Sequence, residues 1–72
     1  MSYTITRRVD QVRPGEIVTG TVASGAFADG SRVLAARTKA PEHSQRMTAW
    51  LCAWASGGHN VYYGDTLVEV AR

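Results

Sequence analysis

A small all-β barrel of about five short antiparallel strands is what this sequence predicts. Three observations lead there. The 72-residue chain is dense in turn dipeptides, Pro14-Gly15, Asp29-Gly30 and Gly57-Gly58 among them. The stretches between are short and rich in β-branched residues. Four or five such runs in about 70 residues fit a closed or nearly closed small sheet.

Each element has its own local reason. In "VRPGEIV", Pro14 pre-sets φ for the first central position of a turn and Gly15 accepts the positive φ of the second. "EIVTGTVA" is the first strand, with Gly20 marking a bend or bulge inside it. "SGAFADGS" is a loop ending in a hairpin dipeptide. "SRVLAARTKA" is the second strand and "PEHSQ" a polar loop. "NVYYG" is a short aromatic strand that follows the Ser56–His59 turn. After a turn at Asp65-Thr66, "LVEVA" closes the sheet with Val68 and Val70 on one face and Glu69 on the other. Residues 1–11 read as an N-terminal arm to a single domain.

The segment "RMTAWLCAWAS" fits two templates. Met47, Trp50, Leu51 and Trp54 have helical spacing, with Pro41 and Ser44 to start a helix and Gly57 to cap it. At period two, Met47, Ala49, Leu51, Ala53 and Ala55 form one wholly apolar face, and Thr48, Trp50, Cys52, Trp54 and Ser56 form the other. The flanking strands and the glycine hairpin favour the strand. The small apolar face is then expected inside a narrow barrel. Trp50 and Trp54 are expected outside, about 13 Å apart at strand rise.

The order of "VRPGEIV", "SRVLAAR", a strand with a glycine hairpin, and "YYGDTLVEVA" resembles the small SH3-like barrel proteins of actinobacteria and their phages. The resemblance runs from Val12 to Ala71 and rests on turn residues. The loop "TKAPEHSQ" and the two tryptophans depart from it. It implies an SH3-like barrel and carries over no catalytic residues, since most such proteins have no assigned activity.

Composition narrows the function. The longest apolar run, Ala49 to Ala55, has seven residues, against about 20 for a spanning helix. No leader is expected in "MSYTITRRVD", and no membrane association. A single cysteine makes no internal disulfide, so a cytoplasmic chain is expected, in the host cytoplasm if phage-encoded. Cys52, His43 and His59 lack the paired spacing of a zinc site, and no metal or cofactor is expected. Cys52 and His59 lack an orienting third group and an oxyanion device. Gly20, Gly25 and Gly30 lack the Lys-Ser/Thr of a phosphate loop. The turn carboxylates Asp10, Glu16, Asp29 and Asp65 are expected to cap backbone amides, and no catalytic role is given to them. An enzyme is not expected.

What remains is binding. Outward indoles at Trp50 and Trp54 form a candidate contact face. Tyr3 either joins that face or, with Ile5, folds over it. The expected role is a protein-interaction module, engaging a protein partner or a second copy as a two-fold homodimer. The alternative is weak single-stranded nucleic-acid binding, with bases stacked on the indoles beside Arg37 and Lys39 and with Arg7-Arg8 nearby. A net charge of +2 gives that alternative little electrostatic support.

Overall fold

The computed structural model describes residues 3–40 and 48–72. The expected "PEHSQ" loop, the Pro41/Ser44 helix start and the Met47 position lie outside the described residues.

The protein is all-β. Among the described residues, seven antiparallel strands form one open sheet: β1 (Thr4–Arg8), β2 (Ile17–Thr21), β3 (Gly25–Ala26), β4 (Arg32–Lys39), β5 (Ala49–Trp54), β6 (His59–Tyr63) and β7 (Leu67–Ala71). The order across the sheet is β1-β7-β2-β4-β5-β6, with β3 paired to β2. One 3-10 turn, Val9–Gln11, links β1 to the approach to β2. No helix of the described residues is long and apolar enough to cross a membrane.

The five expected strands correspond to β2, β4, β5, β6 and β7. Two were not expected. Residues 4–8, read as part of an arm, form β1 and pair along their whole length with β7. The hydroxyls of Thr4 and Thr6 donate to the Glu69 carboxylate at 3.0 and 2.8 Å, tying β1 to its neighbour. The two-residue β3 lies within the loop before Asp29-Gly30.

The turns form as their residues dictate. Gly15 has φ +94°, and Glu16 N–H donates to Arg13 C=O at 3.1 Å, closing the Pro14-Gly15 turn. Gly57 and Gly58 have φ +103° and +78° between β5 and β6, where non-glycine residues are disfavoured. The expected irregularity at Gly20 is present as a register shift between Val18 and Gly20 on β7. The chain also crosses itself closely there. A Cβ built on Gly20 would lie 2.2 Å from Gly25 O and 2.6 Å from Ala26 Cα. Only glycine lets β3 fold back onto β2.

The curled sheet is barrel-like and wraps one core: Val9, Val12, Val18, Leu34, Cys52, Trp54, Val68 and Val70, with Ile5, Phe27, Trp50 and Tyr62 packed against it. Ala49–Trp54 is a strand, as the flanks favoured, but Cys52 and Trp54, expected outside, face the core. Cys52 and Trp54 are 3% and 6% exposed. Leu51 and Ala53 are half-buried on the opposite side and Ala55 is exposed; Ala49 is buried. The physical reason is area. An indole buries about 150–250 Å², several times an alanine methyl, so enclosing the tryptophan face gains more.

Two predictions follow from this packing. Gly20→Ala forces backbone to move and is expected to destabilise by about 1–3 kcal/mol, a large share of the margin of so small a domain. Urea titration checks it; an unchanged midpoint would show that the β2–β3 crossing is loose. Burial also pushes the Cys52 thiol up from its ordinary 9.0 and the Tyr62 phenol up from 10.0. The folded state therefore holds protons that the unfolded state releases. The contribution of these two groups to stability is expected to be constant below the ordinary thiol value of 9.0 and to fall as pH rises through it towards the raised folded values. Cys52→Ala should delay the onset of that alkaline loss in a pH series of thermal melts.

Candidate functional site

The five residues singled out from the sequence fall in different places. Trp54 lies in the core. Its Nε1–H donates to Asn60 Oδ1 at 2.8 Å, and its ring meets Phe27 edge-on at 6.1 Å between centroids. Arg32 closes this corner. Its guanidinium lies 4.0 Å from the Phe27 centroid and 5.7 Å from that of Trp54. It donates to Asn60 Oδ1 at 2.8 Å and to Asp29 Oδ1 at 2.9 Å. The hydrogen bond from Arg32 holds the Asp29 carboxyl below the usual carboxylate range.

Trp50 is half-buried at the other end of β5. Arg37, across from Cys52 on β4, lies 5.0 Å from the Trp50 centroid. Its Nη1 donates to Val9 C=O at 2.8 Å and also to Val12 C=O. The edge of Trp50 lines a shallow cleft of about 240 Å³ with Arg8, Asp10, Thr48, Gly64 and Asp65. Lys39 is exposed on β4, opposite Trp50 in register. Tyr3 is 66% exposed beside the outer sheet edge.

The expected outward platform of two indoles is therefore not formed. Trp54 is enclosed, and Arg37 lies over the ring of Trp50. Of the two residues read as a cover for the indoles, Tyr3 stays in solvent, whereas Ile5 packs against the core that contains Trp54. Arg37 is an internal tie between β4 and the 3-10 turn rather than a free cation beside a stacking surface. Cys52 and His59 do not meet as a thiol–imidazole pair. Cys52 faces the core, whereas His59 pairs with Ala53 and shares its outer face. Among the described residues, no group of three His, Cys, Asp or Glu side chains is placed to hold a metal ion.

The surface that the sequence reading missed is the other side of the same strand. Once Trp50, Cys52 and Trp54 turn inward, Leu51 and Ala53 must turn outward. Their cross-strand neighbours on that face include the polar Thr38 and His59, and the others are apolar. Leu51 pairs with Val61, Ala36 with Ala53, and Ile17 with Val33. Ile17, Val33, Val61 and Tyr63 are each about 40% exposed. A strand apolar on both faces normally has both covered. The signal is the apolar Met47–Ala55 face, which the period-two pattern alone places in the interior.

This face ends at β6, which has no neighbour on its far side among the described residues. The hydrogen-bond parity of β6 follows from the ladder. Trp54 N–H donates to Gly58 C=O, and Gly64 N–H donates to Thr48 C=O. In that register Asn60 and Tyr62 bond to β5, and the N–H and C=O of His59, Val61 and Tyr63 point away from it. The same three side chains stand on the outer face and are exposed. Edges are usually guarded by charge, proline or a bulge. His59–Tyr63 holds no Asp, Glu, Lys, Arg or Pro, whereas β1, at the opposite edge, carries Arg7 and Arg8.

No protein-family model matches this chain, and neither a curated protein nor a solved structure matches it.

Proposed function

We propose that this chain is a non-enzymatic protein-interaction module that takes up an extended strand of a protein partner along β6. One observation carries the reading. On His59, Val61 and Tyr63 the backbone groups that point away from β5 and the exposed side chains belong to the same residues, Tyr63 C=O also accepting Thr66 N–H. Strand addition uses both: main-chain hydrogen bonds supply affinity, and alternate side chains supply selectivity. The adjoining Leu51 and Ala53 extend the apolar contact beyond the edge.

The fold reading proposed with it is an SH3-like barrel. Its support is the strand order β7-β2-β4-β5-β6, in which three consecutive strands form a meander and the last strand returns to the first of the five. In keeping with the sequence resemblance, we place the chain among the small accessory proteins of actinobacteria and their phages, acting in the cytoplasm. The single cysteine is free and buried, which suits a reducing compartment.

A displayed library of extended peptides, selected on sparsely immobilised protein, tests strand uptake. The selected peptides are expected to alternate β-branched or aromatic residues with polar ones. Val61→Lys is expected to weaken them at least tenfold, because a charge then stands in the middle of the acceptor strand. Binders indifferent to Val61→Lys, or competing instead at the Trp50 cleft, would overturn the reading.

A further inference from the structure

We infer that the strand taken up by β6 is β6 of a second copy, paired antiparallel about a two-fold axis at Val61. This rests on the reading of β6 as an acceptor edge and names its occupant. Three features of the strand point to self-pairing.

The first is parity. A two-fold axis at Val61 sets Val61 opposite Val61 of the second copy and His59 opposite Tyr63 of the second copy. These are the residues whose N–H and C=O groups point away from β5. Each pair is then of the hydrogen-bonded kind, with both bonds exchanged. Tyr63 C=O already accepts Thr66 N–H at 3.0 Å within its own chain, and a carbonyl has a second lone pair to offer. A register slipped by one residue opposes inward-pointing to outward-pointing residues and breaks this match.

The second is charge. Like charges placed directly opposite destabilise a strand pair, and a strand meeting its own copy meets its own charges. His59–Tyr63 has no acidic residue, no lysine and no arginine. Leu51, Ala53 and Ala36 behind it are uncharged as well. An edge built for a charged peptide would carry the opposite charge, and this one carries none.

The third is closure. Pairing β6 with β1 of another copy would use a different edge on each chain and propagate without end. Arg7 and Arg8 on β1, with Arg8 paired to Asp10 at 2.8 Å, oppose that arrangement. Pairing β6 with β6 uses one edge from each copy and stops at two. The outer apolar strips of both copies then run side by side, with Val61 at the centre.

Sedimentation equilibrium of the full chain, at concentrations up to about 1 mM because so small an interface is a weak one, tests the inference. Wild type is expected to reach twice the 7.8 kDa chain mass. Val61→Lys, which opposes two ammonium groups at the axis, should raise the dissociation constant at least tenfold. Val61→Pro is a second variant. It removes an N–H that points away from β5, so the ladder to β5 stays intact, and it too should weaken pairing at least tenfold. Unchanged far-UV circular dichroism confirms that each variant is folded. Amide exchange adds a site-specific readout, with His59, Val61 and Tyr63 gaining protection as wild-type concentration rises. A wild-type monomer throughout, or a dimer that both variants leave intact, overturns the inference. If wild type is monomeric yet library peptides still bind and are lost with Val61→Lys, the acceptor edge stands and only its occupant is wrong. If those peptides fail as well, both readings fall together.

Discussion

The guanidinium of Arg37 reaches through the inner side of the sheet to the carbonyls of Val9 and Val12, and the rest of the structure depends on that reach. The 3-10 turn carries Val9 and Val12 into the core, 3% and 2% exposed. Backbone acceptors brought into a core need donors, because an unsatisfied buried carbonyl costs about 1–3 kcal/mol. Arg37 supplies one to Val12 C=O and a second to Val9 C=O, which also accepts Val12 N–H at 3.3 Å, and lies over Trp50 while doing so. Arg37 pairs with Cys52 across β4 and β5, so the two share a side of the sheet. Once Arg37 points inward, Trp50, Cys52 and Trp54 point inward with it. The alternating geometry of a strand then leaves Leu51 and Ala53 no place but the outside.

The consequence is a strand with two apolar faces, of which the inner is the better covered among the described residues. The inner face is served well. Trp54 gains a hydrogen bond from its indole N–H to Asn60 and a ring contact with Phe27, and Arg32 seals it. The outer face is open at Ile17, Val33, Val61 and Tyr63, half-buried at Leu51 and Ala53, and buried at Ala49. Large contiguous apolar surface on a small protein is a mark of contact with something else. Here it runs directly into an unguarded strand edge.

Much of the fold was legible because turns and β-branched runs act locally. Pro14-Gly15, Gly57-Gly58 and the bulge at Gly20 declare themselves through backbone conformations that few other residues accept. The choice of strand over helix for Ala49–Trp54 came from the flanks rather than from the segment, whose spacing suits both. β1 was not legible because "TITRR" owes its pairing to β7, at the far end of the sequence, and to Glu69 between Thr4 and Thr6. Which face of β5 is buried is also a non-local property. It is set by Arg37, Phe27, Arg32 and Asn60, from three separate parts of the chain. The candidate site inherited that ambiguity. Reading the alanine-rich face as interior moved the expected contact surface onto Trp50 and Trp54, one residue away along the strand and on the opposite side of the sheet.

Thiol labelling of Cys52 under native conditions tests the orientation of β5 most directly, because the sole cysteine lies between the two tryptophans on the same face. A small, neutral thiol reagent added to the folded protein is expected to react with Cys52 only through opening of the structure. That reaction should be at least about a thousandfold slower than in the denatured chain, as for a core position opened by global unfolding. Labelling of the native protein at the rate of a free, solvent-exposed thiol would mean that the Trp50-Cys52-Trp54 face lies outside, with the Leu51 and Ala53 face as core and no surplus apolar surface at β6.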